Sequence, residues 1–380
     1  MPSLNDIVAM AQAMEKSPVV VVEDRCLCVR NRNASCRRCM GVCQVGAIAI
    51  AANEITLDAS ACMACGACTS VCPTEALVSV APLDADLSRA AAQAAVANGG
   101  AAVFSCARMA AKHQADPARF AEVPCLARID ESIIVGLVAH GADQVLLVDG
   151  DCASCKYRSV QPCIEATVAY ANELLAVHGS SVRAVRTSAF PDSVLVEDAG
   201  DLYGSTRRGF LSEAAGAARE TAVAAARTTI EQELGYSAEK LQIGERLRVS
   251  ASGEMPRLHM PRHEVTINAL DDIGLPCEEN VETRLFGTVD IDTDRCNACS
   301  MCAVFCPTGA LARDPVEKMS EPLRYLEFSA SDCVQCGMCV DVCWKGAVSL
   351  SATVPTAELF DFEPRAFAMN TPPPRRSAFG

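Results

Sequence analysis

The stretch CNACSMCAVFCP, residues 296–307, spaces four cysteines as C-x2-C-x2-C-x3-C-P, and CVQCGMCVDVCW, residues 333–344, repeats the spacing. The two runs supply Cys296, Cys299, Cys302, Cys306, Cys333, Cys336, Cys339 and Cys343. The x2 spacing lets three thiolates and the intervening backbone amides wrap one cluster. Zinc knuckles lack the third x2 cysteine and the trailing x3 cysteine. The runs therefore predict two [4Fe–4S] clusters.

The pair of runs resembles the bacterial dicluster ferredoxins, in which the fourth cysteine of each run ligates the other cluster. The resemblance implies one ligand set of Cys296, Cys299, Cys302 and Cys343. It implies a second set of Cys333, Cys336, Cys339 and Cys306. Trp344 replaces the proline that usually follows the fourth cysteine, and it is expected either to shield a cluster from water or to pack.

The N-terminal cysteines repeat this scheme with one interruption. CMACGACTSVCP supplies Cys62, Cys65, Cys68 and Cys72, and the preceding run supplies Cys36, Cys39 and Cys43. Asn33 stands where the first cysteine of that run is expected, so Cys26 or Cys28 must substitute for it. The same resemblance implies two further sets: Cys62, Cys65, Cys68 and Cys43; and Cys36, Cys39 and Cys72 with Cys26 or Cys28. A lost first cluster, or one with three irons, remains the alternative.

Composition excludes several other classes of protein. The chain has 380 residues, is half apolar, and carries a formal net charge of −14, which disfavours nucleic acid and suits docking on basic protein surfaces. The 23 cysteines are clustered, whereas a secreted disulfide scaffold would be short. The N-terminus lacks an export signal and no run is long enough to span a bilayer, so we expect a cytoplasmic protein.

Between the two cysteine-rich ends, helical and short apolar strand patterns alternate, which predicts a parallel, doubly wound sheet. Cys106, Cys125 and the pair Cys152 and Cys155 each follow a predicted strand. Because the carboxyl ends of parallel strands lie on one edge, these four cysteines are expected to converge on a fifth metal site.

This segment resembles the delta subunit of methyl-viologen-reducing hydrogenase. The markers are Phe104-Ser-Cys106, Pro124-Cys125 with Arg128, Gly141-Ala-Asp143, and Cys152 and Cys155 with Tyr157. The resemblance implies a fifth iron–sulfur cluster, [2Fe–2S] or [4Fe–4S]. A thioredoxin-like dithiol at Cys152 and Cys155, or a zinc site, are the alternatives. Cys163 is interpreted as a spare ligand or a core residue.

The predicted fold class is α+β ferredoxin-like dicluster domains at both ends and a central α/β domain with a short parallel sheet. The predicted domains are 1–82 (dicluster ferredoxin), 83–200 (hydrogenase-delta-like), 201–284 (helical linker), 285–352 (dicluster ferredoxin) and 353–380 (extended tail). The linker includes an Ala-rich helix from Ser212 to Gly235. STRRGFL at 205–211 is interpreted as a surface feature, His259 and His263 as structural or exposed, and Cys277 as a buried apolar residue.

These features predict an electron-transfer subunit that relays single electrons through four [4Fe–4S] clusters and a fifth centre, in anaerobic metabolism. The resemblances imply redox partners such as a heterodisulfide-reductase-like flavoprotein, a hydrogenase, or a molybdenum or tungsten dehydrogenase such as formate dehydrogenase. We predict no catalytic residue. Two alternatives are a thiol/disulfide oxidoreductase centred on the middle cysteines, and a free-standing electron shuttle.

Overall fold

The computed structural model describes residues 18–197, 202, 255–313 and 324–369. The Ala-rich helix and the STRRGFL segment predicted from the sequence lie outside these residues. No helix among the described residues is both long and apolar enough to cross a membrane.

The N-terminal region wraps two cysteine runs between two antiparallel strand pairs. Its elements are β1 (Val19–Val21), α1 (Leu27–Arg30), α2 (Arg38–Val42), β2 (Ile48–Ala51), β3 (Glu54–Leu57), α3 (Ala67–Ser70) and β4 (Leu77–Ser79). β1 pairs with β4, and β2 pairs with β3. The strand before each run therefore pairs with the strand that follows the other run.

The middle region is a four-stranded parallel sheet, as the sequence predicts. Its elements are α4 (Asp84–Ala97), β5 (Ala101–Cys106), α5 (Ala107–Ala110), β6 (Ala121–Val123), α6 (Glu131–Ala139), β7 (Gln144–Val148), α7 (Gln161–Val177) and β8 (Ala184–Thr187). The strand order is β6-β5-β7-β8, and all three pairings are parallel. The chain passes from β5 to its neighbour β6 on one side, and then crosses back over β5 to reach β7 on the other side. This reversal places a topological switch point between β5 and β7, where doubly wound sheets bind ligands.

The two faces of this sheet are covered differently. Phe104 and Leu147 point into the main core, which also contains the buried side chains of α4, α6 and α7. Val103 and Leu146 point the other way, into a smaller core with Met109 of the single-turn α5 and with residues of the connecting loops. Alternate residues of each strand thus meet opposite layers, as the period of a β-strand requires.

The C-terminal region repeats the crossed pairing of the N-terminal one. Its elements are β9 (Asn280–Glu282), β10 (Thr288–Ile291), α9 (Met301–Val304), β11 (Leu311–Arg313), β12 (Arg324–Phe328), α10 (Met338–Asp341), β13 (Val348–Ser351), β14 (Thr353–Pro355), α11 (Thr356–Phe360) and β15 (Arg365–Met369). β10 pairs with β13 and β11 pairs with β12, again joining the strand before one run to the strand after the other.

The segment from Thr353 to Met369, predicted as part of an extended tail, instead forms two strands and a short helix. β14 pairs with β9, and β15 pairs with β12 to complete a three-stranded sheet. Met369 and Leu359 are buried in the main core. The apolar residues of this segment thus complete the C-terminal region and extend the sheet beyond the cysteine-bearing strands.

One helix of the predicted linker, Pro261–Ile273 (α8), packs against α6 and joins the middle and N-terminal regions. Its Arg262 is largely buried, with a side chain 12% exposed, and forms ion pairs with Glu75 at 3.7 Å and Asp130 at 3.5 Å. The same guanidinium donates to the carbonyls of Thr69 and Cys72. Burial opposes the charge, but the carboxylates of Glu75 and Asp130 raise the Arg262 pKa above its ordinary value.

A second buried ion pair joins the middle and C-terminal regions. Arg284 Nε donates to Glu131 Oε1 at 2.5 Å, and Arg284 Nη2 donates to Thr167 Oγ1 at 2.8 Å. Glu131 is fully buried, so its carboxylate depends on this partner. The three regions are therefore joined by ion pairs that are largely shielded from water.

We predict that Arg262→Met destabilises the chain by roughly 3–5 kcal/mol, because it leaves the buried Glu75 carboxylate without its partner. Urea unfolding of the full chain, followed by circular dichroism, measures this change. Arg89→Met, which removes an exposed pair with Asp86, is the control and is expected to cost about 0–1 kcal/mol. Equal losses for the two variants would contradict this role for Arg262.

Candidate metal centres

The crossed strand pairs bring the N-terminal and the C-terminal cysteines together, and the middle cysteines lie at the edge of the parallel sheet. We number five candidate groups of four by their position in the molecule. Site I is Cys106, Cys125, Cys152 and Cys155. Site II is Cys43, Cys62, Cys65 and Cys68. Site III is Cys26, Cys36, Cys39 and Cys72. Site IV is Cys306, Cys333, Cys336 and Cys339. Site V is Cys296, Cys299, Cys302 and Cys343.

In the C-terminal region, the fourth cysteine of each run lies beside the first three of the other run. Burial raises the pKa of Cys302 to about 12, and the thiolates of Cys296, Cys299 and Cys343 add to this rise. Burial likewise raises the pKa of Cys333 to about 12, and Cys306 is a charged neighbour there. Sites IV and V thus contain the cysteines that the crossing pattern groups together.

The N-terminal region shows the same grouping. Burial raises the pKa of Cys65, and the thiolates of Cys43 and Cys62 add to it. Burial raises the pKa of Cys39 to about 12, and its charged neighbours are Cys72, Cys36 and Cys26. The interrupted run therefore still contributes to a site of four thiols.

Left-handed backbone turns shape the loops of these sites. In three runs the residues directly before and after the second cysteine have positive φ: Ala64 and Gly66, Ala298 and Ser300, Gln335 and Gly337. The interrupted run has no such pair, and Arg37 after Cys36 has a φ of −138°. The loop that lacks the regular cysteine thus also lacks the regular turn.

The second half of every run is regular. The third residue after the fourth cysteine has positive φ in all four runs: Gly46, Glu75, Gly309 and Gly346. A backbone N–H then donates to each fourth thiol, from Ala47, Ala76, Leu311 and Ala347, at 3.2 to 3.4 Å. Such N–H groups stabilise a thiolate and any cluster it holds. The donor chemistry of these sites therefore fits iron–sulfur clusters.

Backbone register distinguishes Cys26 from Cys28. In the three regular runs, the residue four positions before the first cysteine donates its backbone N–H to the carbonyl directly before the strand that follows the other run. The donors are Asp58, Asp292 and Ser329, and their acceptors are Ala47, Ala347 and Ala310, respectively. Val22 donates to Ala76 in the same way at 2.8 Å. Val22 precedes Cys26 by the same spacing, so Cys26 occupies the position of a first cysteine. Cys28 lies within the insertion that follows.

Cys28 has surroundings of its own. Arg37 Nη1 donates to Cys28 Sγ at 2.8 Å, and Cys28 Sγ lies 3.1 Å from the carbonyl oxygen of Cys36. Cys28 is buried beside site III, where burial raises the pKa of Cys26 to about 12. A fifth thiol thus borders site III.

The four middle cysteines line one cavity of about 410 Å³ at the carboxyl edge of the sheet. Cys106 ends β5, Cys125 follows β6, and Cys152 and Cys155 follow β7, so the cavity lies at the switch point. Burial raises the pKa of Cys125 to about 12, and its charged neighbours include Cys65, Cys106 and Cys152. Four thiols facing one space fit a fifth cluster.

The structure also places the remaining candidates. Cys163 packs against the main core and does not line the site I cavity. Burial raises the pKa of its thiol, the charge of Arg284 opposes this rise, and the charge of Glu131 adds to it. Cys277 is exposed, so its expected burial is wrong. Its thiol donates to the Ala176 carbonyl at 3.6 Å.

Trp344 and the two histidines have separate environments. Trp344 is 68% exposed, with Lys345 Nζ 4.3 Å from its ring centroid, so it covers little of the protein surface. His263 is half-buried, its Nε2–H donates to the Ser331 carbonyl, and desolvation of the ring lowers its pKa to about 4. His259 is exposed and lies 3.4 Å from the Glu264 carboxylate.

Among the described residues, no group of three or more His, Cys, Asp or Glu side chains lies close enough to hold a single metal ion. A cubane needs no such approach, because each thiolate binds a different iron.

The thiol groups and their N–H donors fit an iron–sulfur protein. Family models agree: a 4Fe-4S dicluster domain matches residues 295–347, and a 4Fe-4S binding domain matches residues 55–78. A third family model, described as methyl-viologen-reducing hydrogenase, delta subunit, matches residues 95–193. The chain thus carries two 4Fe–4S ferredoxin-type domains and a hydrogenase delta-subunit domain between them, which confirms both resemblances. Curated proteins and solved structures gave no significant match.

We predict that Cys26→Ala lowers the iron content by about four atoms per chain, because it removes the first thiol of a four-iron site. Cys28→Ala is the matched control and is expected to keep the wild-type iron content. Iron and protein analysis after anaerobic purification measures both. Iron loss in Cys28→Ala with full iron in Cys26→Ala would reverse the assignment.

Proposed function

We propose that this protein carries single electrons between redox subunits of a larger complex, along a row formed by sites I to V. The clusters held there would supply the one-electron chemistry. An iron–sulfur electron-transfer role follows from the ferredoxin-type and hydrogenase-delta-type domains. The order of the sites is the observation that carries the proposal further.

The middle site adjoins the N-terminal pair of sites. Cys125 of site I has Cys65 of site II among its charged neighbours. Tyr157, at the site I cavity, donates its hydroxyl to the Met63 carbonyl at 2.7 Å, in the loop between Cys62 and Cys65. The loops of sites I and II are therefore held in contact.

The row continues through the N-terminal region into the C-terminal one. Cys68 of site II has Cys39 of site III among its charged neighbours. Cys336 of site IV packs against the core that contains the cysteines of site III. Cys339 of site IV has Cys302 of site V among its charged neighbours. Each site thus adjoins the next, which supports transfer over short distances from one end to the other.

The protein contributes burial and hydrogen bonding to these sites. Cys39, Cys68, Cys302 and Cys339 are buried, which excludes water from the inner faces of the four ferredoxin-type sites. Burial, backbone N–H donors and local charge are the means by which a protein sets cluster potentials. These residues would bind the clusters and shield them from water, and none is assigned a role in breaking bonds.

The delta-subunit domain supports a place in a multi-subunit redox complex. Partners of the kinds inferred from the sequence are a heterodisulfide-reductase-like flavoprotein, a hydrogenase, or a molybdenum or tungsten dehydrogenase. The formal charge of −14 suits docking on basic surfaces of such partners.

The thiol/disulfide alternative has less support. A nucleophilic dithiol needs a thiol with a lowered pKa. Burial and the Asp149 carboxylate instead raise the pKa of Cys152 to about 11, against the opposing charge of Arg186. Cys152 also begins a single 3₁₀ turn and not an α-helix, so no helix dipole acts on it.

We predict about 18 to 20 irons per chain after anaerobic purification, against about 16 if only the four ferredoxin-type sites are filled. Alkylation with mass spectrometry should leave the four site I cysteines unlabelled until the iron is removed, while exposed Cys277 labels at once as the internal control. Dithionite should reduce the centres, as followed by electron paramagnetic resonance.

An iron-free protein, or bound iron that dithionite does not reduce, would refute the electron-transfer proposal. Early labelling of Cys152 and Cys155, or a disulfide between them, would refute a cluster at site I alone. Isolation from the native cells as a stable monomer without other subunits would favour the free-standing shuttle.

A further inference from the structure

The N-terminal and C-terminal regions meet through their cysteine loops. Ser35 donates its backbone N–H to Asp341 Oδ2 at 2.7 Å and its hydroxyl to Asp341 Oδ1 at 2.8 Å. Met338 and Val342, which flank Cys339, are buried in the core of the N-terminal region. The contact therefore joins the loop of site III to the loop and helix of site IV.

Arg38 spans this contact. It lies between Cys36 and Cys39 of site III, and its Nη2 donates to the Gln335 carbonyl at 2.7 Å. Gln335 directly precedes Cys336 of site IV and has a left-handed φ of 48°. One half-buried guanidinium thus ties the Cys-x-x-Cys loops of two different domains together.

The charge of Arg38 lies beside both loops, because Arg38 belongs to the Cys36–Cys39 loop and its guanidinium is hydrogen-bonded to the backbone directly before Cys336. Two other arginines lie near this contact and make different hydrogen bonds: Arg37 donates to Cys28 Sγ and the Cys36 carbonyl, and Arg30 donates to the carbonyls of Asp24 and Pro256.

We propose that Arg38 is a positioning residue that fixes the contact between sites III and IV and stabilises added negative charge on both. This inference rests on the proposed electron-transfer function. Clusters held at these sites would exchange one electron, so that one would be oxidised as the other is reduced, with no bond or proton moved. Because the same cation adjoins both sites, the transferred charge would stay near Arg38 before and after the step.

The test is a redox titration, monitored by electron paramagnetic resonance, of full-length protein loaded with clusters. In Arg38→Met, two centres should become roughly tenfold harder to reduce, which is about 59 mV for a one-electron couple. The iron content should not change, since Arg38 is not a thiol ligand. Arg38→Lys keeps the charge and is expected to keep most of the wild-type potential.

Arg32→Met is the matched control, because Arg32 is an exposed arginine in the insertion that precedes Cys36. It removes the same formal charge and should leave every potential unchanged. A shift equal to that of Arg38→Met would mean that net charge alone acts, and would overturn the proposal. Unchanged potentials in Arg38→Met with full iron would also overturn it, and would leave the electron-transfer function standing. A wild-type protein without reducible centres would instead overturn the function itself.

Discussion

The antiparallel pairing of the strand before one cysteine run with the strand after the other is the constraint on which the rest of the structure depends. A run of three close cysteines cannot complete a four-thiol site by itself. The crossed pairs β1 with β4 and β10 with β13 bring in the fourth thiol from the partner run. Sites III and V consequently depend on backbone hydrogen bonds between segments that are distant in sequence, so metal binding there would be coupled to folding of the domain.

Ion pairs between largely buried side chains then fix how the three regions pack together. Arg262 connects Glu75 of the N-terminal region with Asp130 of the middle region, and Arg284 reaches Glu131 from the C-terminal side. Asp130 is also the N-cap of α6, accepting backbone N–H bonds from Ser132 and Ile133. Glu131 follows directly, so the first turn of one helix receives both arginines. A misplaced α6 would leave several charges unpaired, which makes other domain arrangements costly.

Much of the molecule could be predicted from local pattern. Strands such as Gln144–Val148 and helices such as Glu131–Ala139 have periodic apolar residues and glycines close behind, and the spacing of the cysteines indicates which thiols belong together. The different backbone positions of Cys26 and Cys28 could not be predicted, because the register depends on a hydrogen bond of Val22 to Ala76 across the domain. The role of Arg262 was missed for the same reason: its partners lie far away in sequence, and an arginine beside a proline in a linker gives no local sign of burial. The order of the sites likewise depends on how the domains pack.

Glu75 has two roles, because it lies in the turn after Cys72 and also pairs with Arg262 in the contact between regions. Gly46, Gly309 and Gly346 occupy the equivalent positions of the other three runs, where the left-handed backbone favours glycine. By the internal consensus of the chain, glycine would be the better residue at position 75. A glycine would relax the backbone and yet leave the largely buried Arg262 with one fewer counter-charge. Consensus engineering, which improves many proteins one position at a time, would here remove a connection between domains while repairing a turn.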